Sequence, residues 1–227
     1  MIRLSMQQSA LRRLLGCAAV SASLVTAAGA QAPAPGAQRV GEGSWRISAT
    51  AGGFAPRSAA IASEATGLET TLESGPALSL DIQYVASKSL SVYASGTGAF
   101  SRLSLGSAIA PVAVGPSRSA TVLAGTGGLV LTAPGSAFGN HFQPILRIGG
   151  GFKAYQFNLA GADSQLRPTG DFGIGFRGVG SGPIEISAEL RYMPSTFDQG
   201  KLPTRGITPQ AQRQTDLLFG VGVSIRP

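Results

Sequence analysis

Apolar and polar residues alternate with a period of two along much of the chain, which predicts β-strands with one apolar and one polar face. The clearest case is the segment 184–192 (IEISAELRY), where apolar side chains alternate with Glu185, Ser187, Glu189 and Arg191. Strands of about 9 to 11 residues are long enough to cross a membrane. Eight segments are predicted as strands: 45–52, 77–86, 90–101, 119–132, 143–157, 171–177, 184–192 and 216–226.

The connections between these strands alternate between long and short. They comprise residues 55–75, 87–89, 102–118, 133–142, 158–166, 179–183 and 193–213. Such alternation is typical of outer-membrane barrels, which have long extracellular loops and short periplasmic turns, and an even strand number places both barrel ends on the periplasmic side. Closure is required because each unsatisfied backbone group costs several kcal/mol in hydrocarbon. The sequence therefore predicts an all-β fold, a closed antiparallel eight-stranded transmembrane β-barrel over residues 44–227.

The N-terminal segment has the pattern of a secretory signal peptide. The first thirteen residues carry three arginines and no acid, residues 14–28 are apolar or small, and an A-x-A processing site ends at Ala30. The apolar stretch is short for a membrane anchor. Cys17 lies in a sequence resembling a lipobox, but Arg12 and Arg13 leave no apolar segment before it, so we favour cleavage over lipidation. We predict a signal peptide over 1–30, a Pro/Ala-rich periplasmic tether over 31–43 and outer-membrane localisation.

Composition narrows the chemistry available to the chain. Of its 227 residues 32 are glycine and only 13% are charged. A single cysteine excludes a disulfide framework and a Cys-rich zinc site, and a single histidine leaves little material for His-based catalysis or metal binding. We expect no cofactor and no metal. Loss of the leader would lower the formal net charge from +7 to +4, and no Lys/Arg cluster follows, so nucleic acid is not an expected partner.

Over residues 45–226 the chain resembles the small bacterial outer-membrane barrels of the OmpA transmembrane-domain, OmpX and OmpW type. The resemblance rests on the strand pattern and implies an architecture without implying a specific task. It also implies outer-membrane lipid as the surroundings and the barrel-insertion machinery as a partner during biogenesis. In that family the last strand usually ends in an aromatic residue that the insertion machinery recognises, whereas this chain ends in Val223-Ser224-Ile225-Arg226-Pro227.

The polar faces of the predicted strands carry charges of both signs, which we expect to face the lumen. These residues are Arg46, Asp81, Arg147, Lys153, Asp171, Arg177, Glu185, Glu189, Arg191, Asp216 and Arg226. In a functional interpretation, these charges form a polar plug or a narrow gated pathway for small solutes. In a structural interpretation, they are only ion pairs that satisfy one another, with no transport. We favour structural ion pairs, because side chains fill the interior of an eight-stranded barrel.

Aromatic residues near the predicted strand ends are candidates for the interfacial girdles of a membrane barrel. They are Trp45, Tyr84, Phe100, Phe142, Phe157, Tyr192 and Phe219. In a soluble barrel they would pack in the core instead. We favour the girdle, because the charged faces are rich in glycine and bulky groups pack better outward into lipid than into a small lumen.

Residues 173–178 match the letters of the dinucleotide motif G-x-G-x-x-G. They lie within a predicted strand, and Gly180, Gly182 and Pro183 follow where the motif requires a helix to begin. We interpret these glycines as lumen-facing positions that let the sheet curve closely.

Two functions fit the predicted barrel. The first is a structural or surface-interaction protein, in which the barrel anchors exposed loops and the polar lumen is largely plugged. The second is a narrow channel or transporter for small or hydrophobic solutes. A third, an outer-membrane lipid hydrolase, would need His141 beside a serine and an acid at the outer face, but His141 falls in a predicted periplasmic turn, so no enzyme is expected. The loops are polar and mixed in charge and identify no ligand.

Overall fold

The structure is a computed structural model that describes residues 43–57, 68–107, 118–133, 142–158, 164–178, 184–198 and 211–225. The strands are β1 (Ser44–Pro56), β2 (Leu68–Leu72), β3 (Gly75–Val85), β4 (Leu90–Ser107), β5 (Arg118–Thr132), β6 (Phe142–Phe157), β7 (Gln165–Gly178), β8 (Ile184–Asp198) and β9 (Ala211–Ile225). Within these ranges no helix is long and apolar enough to cross a membrane. The predicted leader, most of the tether, His141 and Arg226 lie outside the described residues.

Strands β2 and β3 are two parts of one barrel strand. Both pair with β4, and the register changes by one residue between the pairs Leu72↔Leu103 and Ala77↔Ala99. One extra residue on the β2–β3 side is the definition of a β-bulge, which bends a strand while pairing continues on both sides. At this bulge the backbone amide of Glu73 donates to the carbonyl of Arg102 at 2.8 Å. The barrel therefore has eight strands.

Every strand pairs antiparallel with its neighbours, and the sheet closes because β1 pairs with both β3 and β9. Stepping from partner to partner once around the barrel passes through Trp45, Tyr84, Val92, Leu129, Ile148, Phe172, Tyr192, Leu217 and Ala55. The path returns to β1 ten residues further along that strand than its start. In an eight-stranded barrel this stagger corresponds to strands tilted by about 40° from the barrel axis. The structure confirms the predicted closed, antiparallel, eight-stranded barrel.

The two faces of the barrel are apolar outside and polar inside, as the alternation predicts. Large apolar side chains that are 40% to 62% exposed surround the outer face, including Phe142, Phe100 and Val221. Buried charged side chains such as Arg147 and Asp171 occupy the inner face. A soluble barrel has the opposite arrangement, because an apolar outer face of this size would be unfavourable in contact with water. The observed arrangement suits a barrel surrounded by lipid.

The two rims of the barrel differ. The turn rim is where β1 begins, β9 ends and the short turn Ala86–Ser89 joins β3 to β4. The loop rim is the opposite one. The predicted strand ends agree with the observed ends within about one residue at the turn rim, but β4, β7 and β8 each extend six residues further at the loop rim. On β4 and β8 backbone pairing continues there after the outward positions stop being apolar, whereas on β7 the outward Leu166 lies within the extension.

Candidate functional site

The candidate site is the lumen, where the barrel collects the charged residues predicted from the strand pattern. Of those residues, ten are described, and all ten lie on inward-facing positions: Arg46, Asp81, Arg147, Lys153, Asp171, Arg177, Glu185, Glu189, Arg191 and Asp216. The side chain of Glu189 is 11% exposed, and the other nine residues are buried. The predicted Arg226 lies outside the described residues. Within the lumen these charges form three groups at different heights.

The central group is organised around Asp171 on β7. Arg191 on the neighbouring strand β8 donates from Nε to Oδ1 at 3.0 Å and from Nη2 to Oδ2 at 2.6 Å. The hydroxyls of Tyr93 on β4 and Thr126 on β5 donate to Oδ2 at 2.8 Å and 2.7 Å. A two-pronged arginine–carboxylate pair with further hydroxyl donors is a strong arrangement, because a buried charge is stable only when its partners satisfy it.

Arg147 on β6 extends the central group across the lumen. Its Nη1 lies 3.1 Å from Asp81 Oδ1 and 3.8 Å from Asp171 Oδ2, and its Nη2 lies 3.1 Å from Glu189 Oε2. Its guanidinium carbon lies 4.2 Å from the centre of the Tyr93 ring, which adds a cation–π contact. One arginine thus connects residues of β3, β4, β7 and β8 through the middle of the barrel.

A second group lies near the turn rim. Arg46 Nε is 3.0 Å from Glu185 Oε2, and Arg177 Nε is 3.9 Å from the same oxygen. Arg177 Nη2 also donates to the side-chain carbonyl of Gln83 at 3.0 Å. These contacts link β1, β3, β7 and β8 close to the ends of the chain's barrel segment.

A third group lies toward the loop rim. Lys153 Nζ donates to Asp216 Oδ2 at 2.7 Å and to the carbonyl of Met193 at 2.8 Å. Asp216 also accepts from Tyr155 Oη at 3.3 Å and from Gln214 Nε2 at 2.7 Å. Both charges are almost completely buried, so each depends on the other for its stability in the lumen.

The loop-rim part of the lumen also contains an apolar cluster, which the sequence analysis did not predict. The inward residues that pack together there are Phe54, Ala99, Leu103, Val122, Ala124, Tyr155, Met193 and Leu218, which we call the apolar cap. The predicted first strand stops at 52, so Phe54 had no assigned face, although it continues the inward alternation of Arg46 and Ser48. Five of the eight cap residues lie within the predicted strands, and continuing the alternation past the predicted strand ends would have added Phe54, Leu103 and Met193.

Glycines on the inward face make room for the long charged side chains. A Cβ at Gly173 would lie 3.2 Å from Arg191 Cγ and 3.3 Å from Arg147 Cβ, and one at Gly175 would lie 2.9 Å from Glu189 Cγ. Of the motif-like glycines, Gly173 and Gly175 therefore face the lumen beside the central ion pairs, whereas Gly178 has the outward parity of Phe176. The lumen-facing interpretation thus holds for Gly173 and Gly175 and not for Gly178, and at the first two positions a larger residue would compete with the charged side chains for space.

The described interior contains large buried side chains and a small cavity. A cavity lined by residues that include Thr50, Ser79, Asp81 and Arg191 has a volume of about 20 Å³, which is room for about one water molecule. Arg147, Tyr93, Tyr155, Phe54 and Lys153 are among the largest fully buried side chains of the protein. Large side chains of opposite charge therefore meet in the lumen at several heights.

Four residues of the predicted aromatic girdle lie on the outer face toward one of the two rims. Trp45 and Tyr84 pack together at the turn rim with ring centres 5.2 Å apart, and Phe142 is exposed at the same rim. Phe100 is 62% exposed toward the loop rim.

Three other aromatic residues depart from the expected girdle. Tyr192 and Phe219 face outward but lie near the middle of β8 and β9. Phe157 is on the inward side of β6 and packs against the apolar cap, because residue 157 has the same parity as Lys153 and Tyr155. Position near a predicted strand end did not distinguish these cases.

The described part of the chain was expected to contain no metal site. No group of three or more His, Cys, Asp or Glu side chains there is arranged to hold a metal ion. His141, on which the hydrolase hypothesis depends, lies outside the described residues.

Solved structures similar to this chain include those of two outer-membrane proteins. Neisserial surface protein A superposes with a TM-score of 0.52 at 12% identity, covering 81% of this chain and 97% of that chain. The outer membrane protein OprG from Pseudomonas aeruginosa superposes with a TM-score of 0.51 at 14% identity, covering 82% and 99%. No protein-family model and no curated protein sequence matches the chain. At these identities the likeness concerns the fold, which is that of the small eight-stranded outer-membrane barrels.

Proposed function

We propose that the protein is an integral outer-membrane barrel that anchors its long loops at the cell surface and whose lumen is plugged by its own side chains. The observation that carries this proposal is the distribution of charge and apolar surface: ion pairs inside and apolar side chains outside. The apolar outer face suits contact with lipid. The ion pairs lie in the interior, which in an eight-stranded barrel is just wide enough for side chains to fill.

The ion pairs favour a closed lumen for an energetic reason. Opening a path past the central group would separate Arg147 from Asp81 and Glu189, or Arg191 from Asp171. Breaking a buried pair by removing one partner typically costs about 3–5 kcal/mol, because the remaining charge is left without compensation. Several such pairs at three heights make a continuous water path unfavourable.

The proposal includes the route to the membrane. A leader over residues 1–30, cleaved near Ala30, directs the chain to the periplasm, and the barrel-insertion machinery folds it into the outer membrane. Both ends of the barrel segment lie at the turn rim, so this rim faces the periplasm and the loop rim faces the exterior.

A surface-labelling experiment tests the anchoring function. An epitope inserted in residues 108–117, between β4 and β5, should be reached by antibody on intact cells. The same epitope inserted in residues 179–183, between β7 and β8, should be reached only after the outer membrane is permeabilised. Labelling of both insertions, or of neither, on intact cells would contradict the proposed orientation, and fractionation of the protein with the soluble periplasm would contradict the membrane location.

The alternative function is a narrow channel or transporter for small or hydrophobic solutes. It differs from the plugged barrel in having a continuous lumen.

The third candidate function is that of an outer-membrane lipid hydrolase, which would depend on His141. We propose that the protein is not an enzyme. Release of fatty acid from outer-membrane lipid by the purified protein, lost in the variant His141→Ala, would contradict this.

A further inference from the structure

The seam between β7 and β8 has less backbone pairing than any other seam of the described barrel wall. Pairing is continuous from the turn rim to Phe172↔Tyr192, and beyond that point only Thr169 and Ser195 pair among the described residues of the two strands. On their other sides both strands stay paired up to their loop-rim ends, β7 with β6 and β8 with β9. The interruption is therefore a property of this seam and not of frayed strand ends.

Two prolines account for the interruption. In the register set by the remaining pairs, Pro194 faces Gly170 and Pro168 faces Thr196. A proline has no amide hydrogen, so neither proline can donate to the strand opposite, and for this reason proline is rare inside a sheet. Within a membrane the loss is more serious, because no water replaces the missing donor. Both losses fall in the loop-rim half of the seam.

A threonine side chain replaces one of the missing donors. The Oγ1 atom of Thr169 lies 3.0 Å from the carbonyl oxygen of Gly170 and 2.9 Å from that of Pro194, and its hydroxyl donates to both. These are the two carbonyls of the interrupted pair. Thr169 is buried on the inner face of β7. Its hydroxyl therefore does what the amide of residue 194 would do if that residue were not a proline.

Two charged contacts cross the same seam from the lumen. Arg191 on β8 binds both carboxylate oxygens of Asp171 on β7, next to the point where continuous pairing stops. Lys153 on β6 reaches across β7 and donates to the carbonyl of Met193 on β8 at 2.8 Å. We call Thr169, Asp171, Arg191 and Lys153 the seam latch. Its side chains hold the two strands together where backbone pairing is interrupted.

We propose that the loop-rim half of the β7–β8 seam opens sideways independently of the rest of the barrel and that the seam latch holds it closed. The free energy of a local opening depends on the bonds that it breaks, and this part of the wall has fewer backbone bonds than its neighbours. Three of the latch residues also belong to the ion pairs of the lumen, so the wall and the plug are coupled. This opening goes beyond the proposed function, because it concerns the wall and not the loops or the closed lumen.

Hydrogen–deuterium exchange of the folded protein in lipid vesicles, resolved by mass spectrometry, tests the proposal. The measurement follows the seam segments 165–171 and 193–198 and uses the β1 segment 44–56 as an internal reference. It compares the unchanged protein with Thr169→Val, Pro194→Ala and the double variant T169V/P194A. The matched control is Thr132→Val, which removes the hydroxyl of a buried inward threonine at the turn rim. Heat-modifiable gel mobility verifies that each variant is folded.

The seam segments of the unchanged protein should exchange at least about tenfold faster than the β1 segment. Thr169→Val should accelerate exchange in the seam by about a further tenfold, because two carbonyls lose their donor, and should leave the β1 segment unchanged. Pro194→Ala should slow exchange in the seam, since an amide at residue 194 supplies a donor for Gly170. In that background Thr169→Val should change the rate by no more than about twofold, and Thr132→Val should have an equally small effect.

Seam segments that exchange as slowly as β1 in the unchanged protein would overturn the proposal. An equal effect of Thr169→Val with and without Pro194→Ala would overturn it as well, since the hydroxyl would then not replace the missing amide. So would an equal acceleration in all segments, which would show that Thr169 stabilises the whole barrel and not this seam. Pro194→Ala adds a bond, so its slowing effect tests the proposal even if Thr169→Val fails to fold.

Discussion

Arg191 binds both carboxylate oxygens of Asp171, through Nε at 3.0 Å and Nη2 at 2.6 Å, in the middle of the barrel lumen. The same carboxylate accepts from the hydroxyls of Tyr93 and Thr126. Asp171 therefore joins the consecutive strands β4 and β5 to the consecutive strands β7 and β8 through one fully buried group. Interactions of this kind hold opposite walls of the barrel together, which hydrogen bonding between neighbouring strands does not do.

The substitution Asp171→Asn removes the charge with little change in shape. Arg191 and Arg147 would then remain buried with one fewer negative partner, so we expect the free energy of unfolding to fall by about 3–5 kcal/mol. Urea unfolding in lipid vesicles, followed by gel mobility, measures it. The control Lys88→Gln lies in an exposed turn and should change stability by no more than about 0.5 kcal/mol. A loss for Asp171→Asn no larger than that of the control would show that the pair is not a structural one.

The pair between Lys153 and Asp216 lies beside the apolar cap, and its two charges should be strongly coupled. The single change Asp216→Asn leaves Lys153 with the Met193 carbonyl and no anion, so a loss of about 3–5 kcal/mol is expected. Adding Lys153→Met removes the uncompensated charge. The double variant should recover at least about 1 kcal/mol relative to the single one in the same unfolding assay, and losses that simply add would refute the coupling.

Glycines on the two faces of the barrel should respond differently to alanine. At Gly151 a Cβ would overlap the backbone at Gly125 and Thr126, so Gly151→Ala should cost about 1–3 kcal/mol in unfolding free energy. At Gly125 a Cβ meets nothing, so Gly125→Ala should be neutral or slightly stabilising through the unfolded state. Equal losses at the two positions would contradict the assignment of inner and outer faces.

Trp45 is the chain's one tryptophan and gives a direct reading of membrane depth. It is 42% exposed on the outer face at the turn rim, against Tyr84. Its fluorescence should be quenched by brominated lipids, more strongly when the bromine is near the headgroup than when it is near the end of the acyl chain. Quenching by a water-soluble agent alone would place this residue outside the bilayer.

The alternation of apolar and polar residues was enough to predict the barrel, because each strand has to bury one face and expose the other to lipid. It also placed ten described charged residues in the lumen. It predicted the strand ends well at the turn rim, where the apolar pattern and the backbone pairing stop together. At the loop rim it ended β8 at Tyr192, although pairing continues to Asp198, since outward residues such as Thr196 no longer follow the apolar pattern.

Partners within the lumen could not be predicted from alternation. Parity fixes the face of Asp171, but its contact with Tyr93 depends on the register of β4 against β5, β5 against β6 and β6 against β7. Part of the apolar cap was missed for another reason, because Phe54, Leu103 and Met193 lie beyond the segments recognised as strands. Phe157 was expected in the girdle from its position at a strand end, whereas its parity places it inside.

Single-channel recording in planar lipid bilayers tests the plugged lumen most directly. Protein whose folding is verified by heat-modifiable gel mobility should produce no conductance steps above those of protein-free bilayers. A variant that truncates the large central side chains, with Tyr93, Arg147 and Arg191 all replaced by alanine, serves as the opened control if it keeps the mobility shift. Reproducible steps from the unchanged protein would contradict a plugged lumen and would favour the narrow channel in its place.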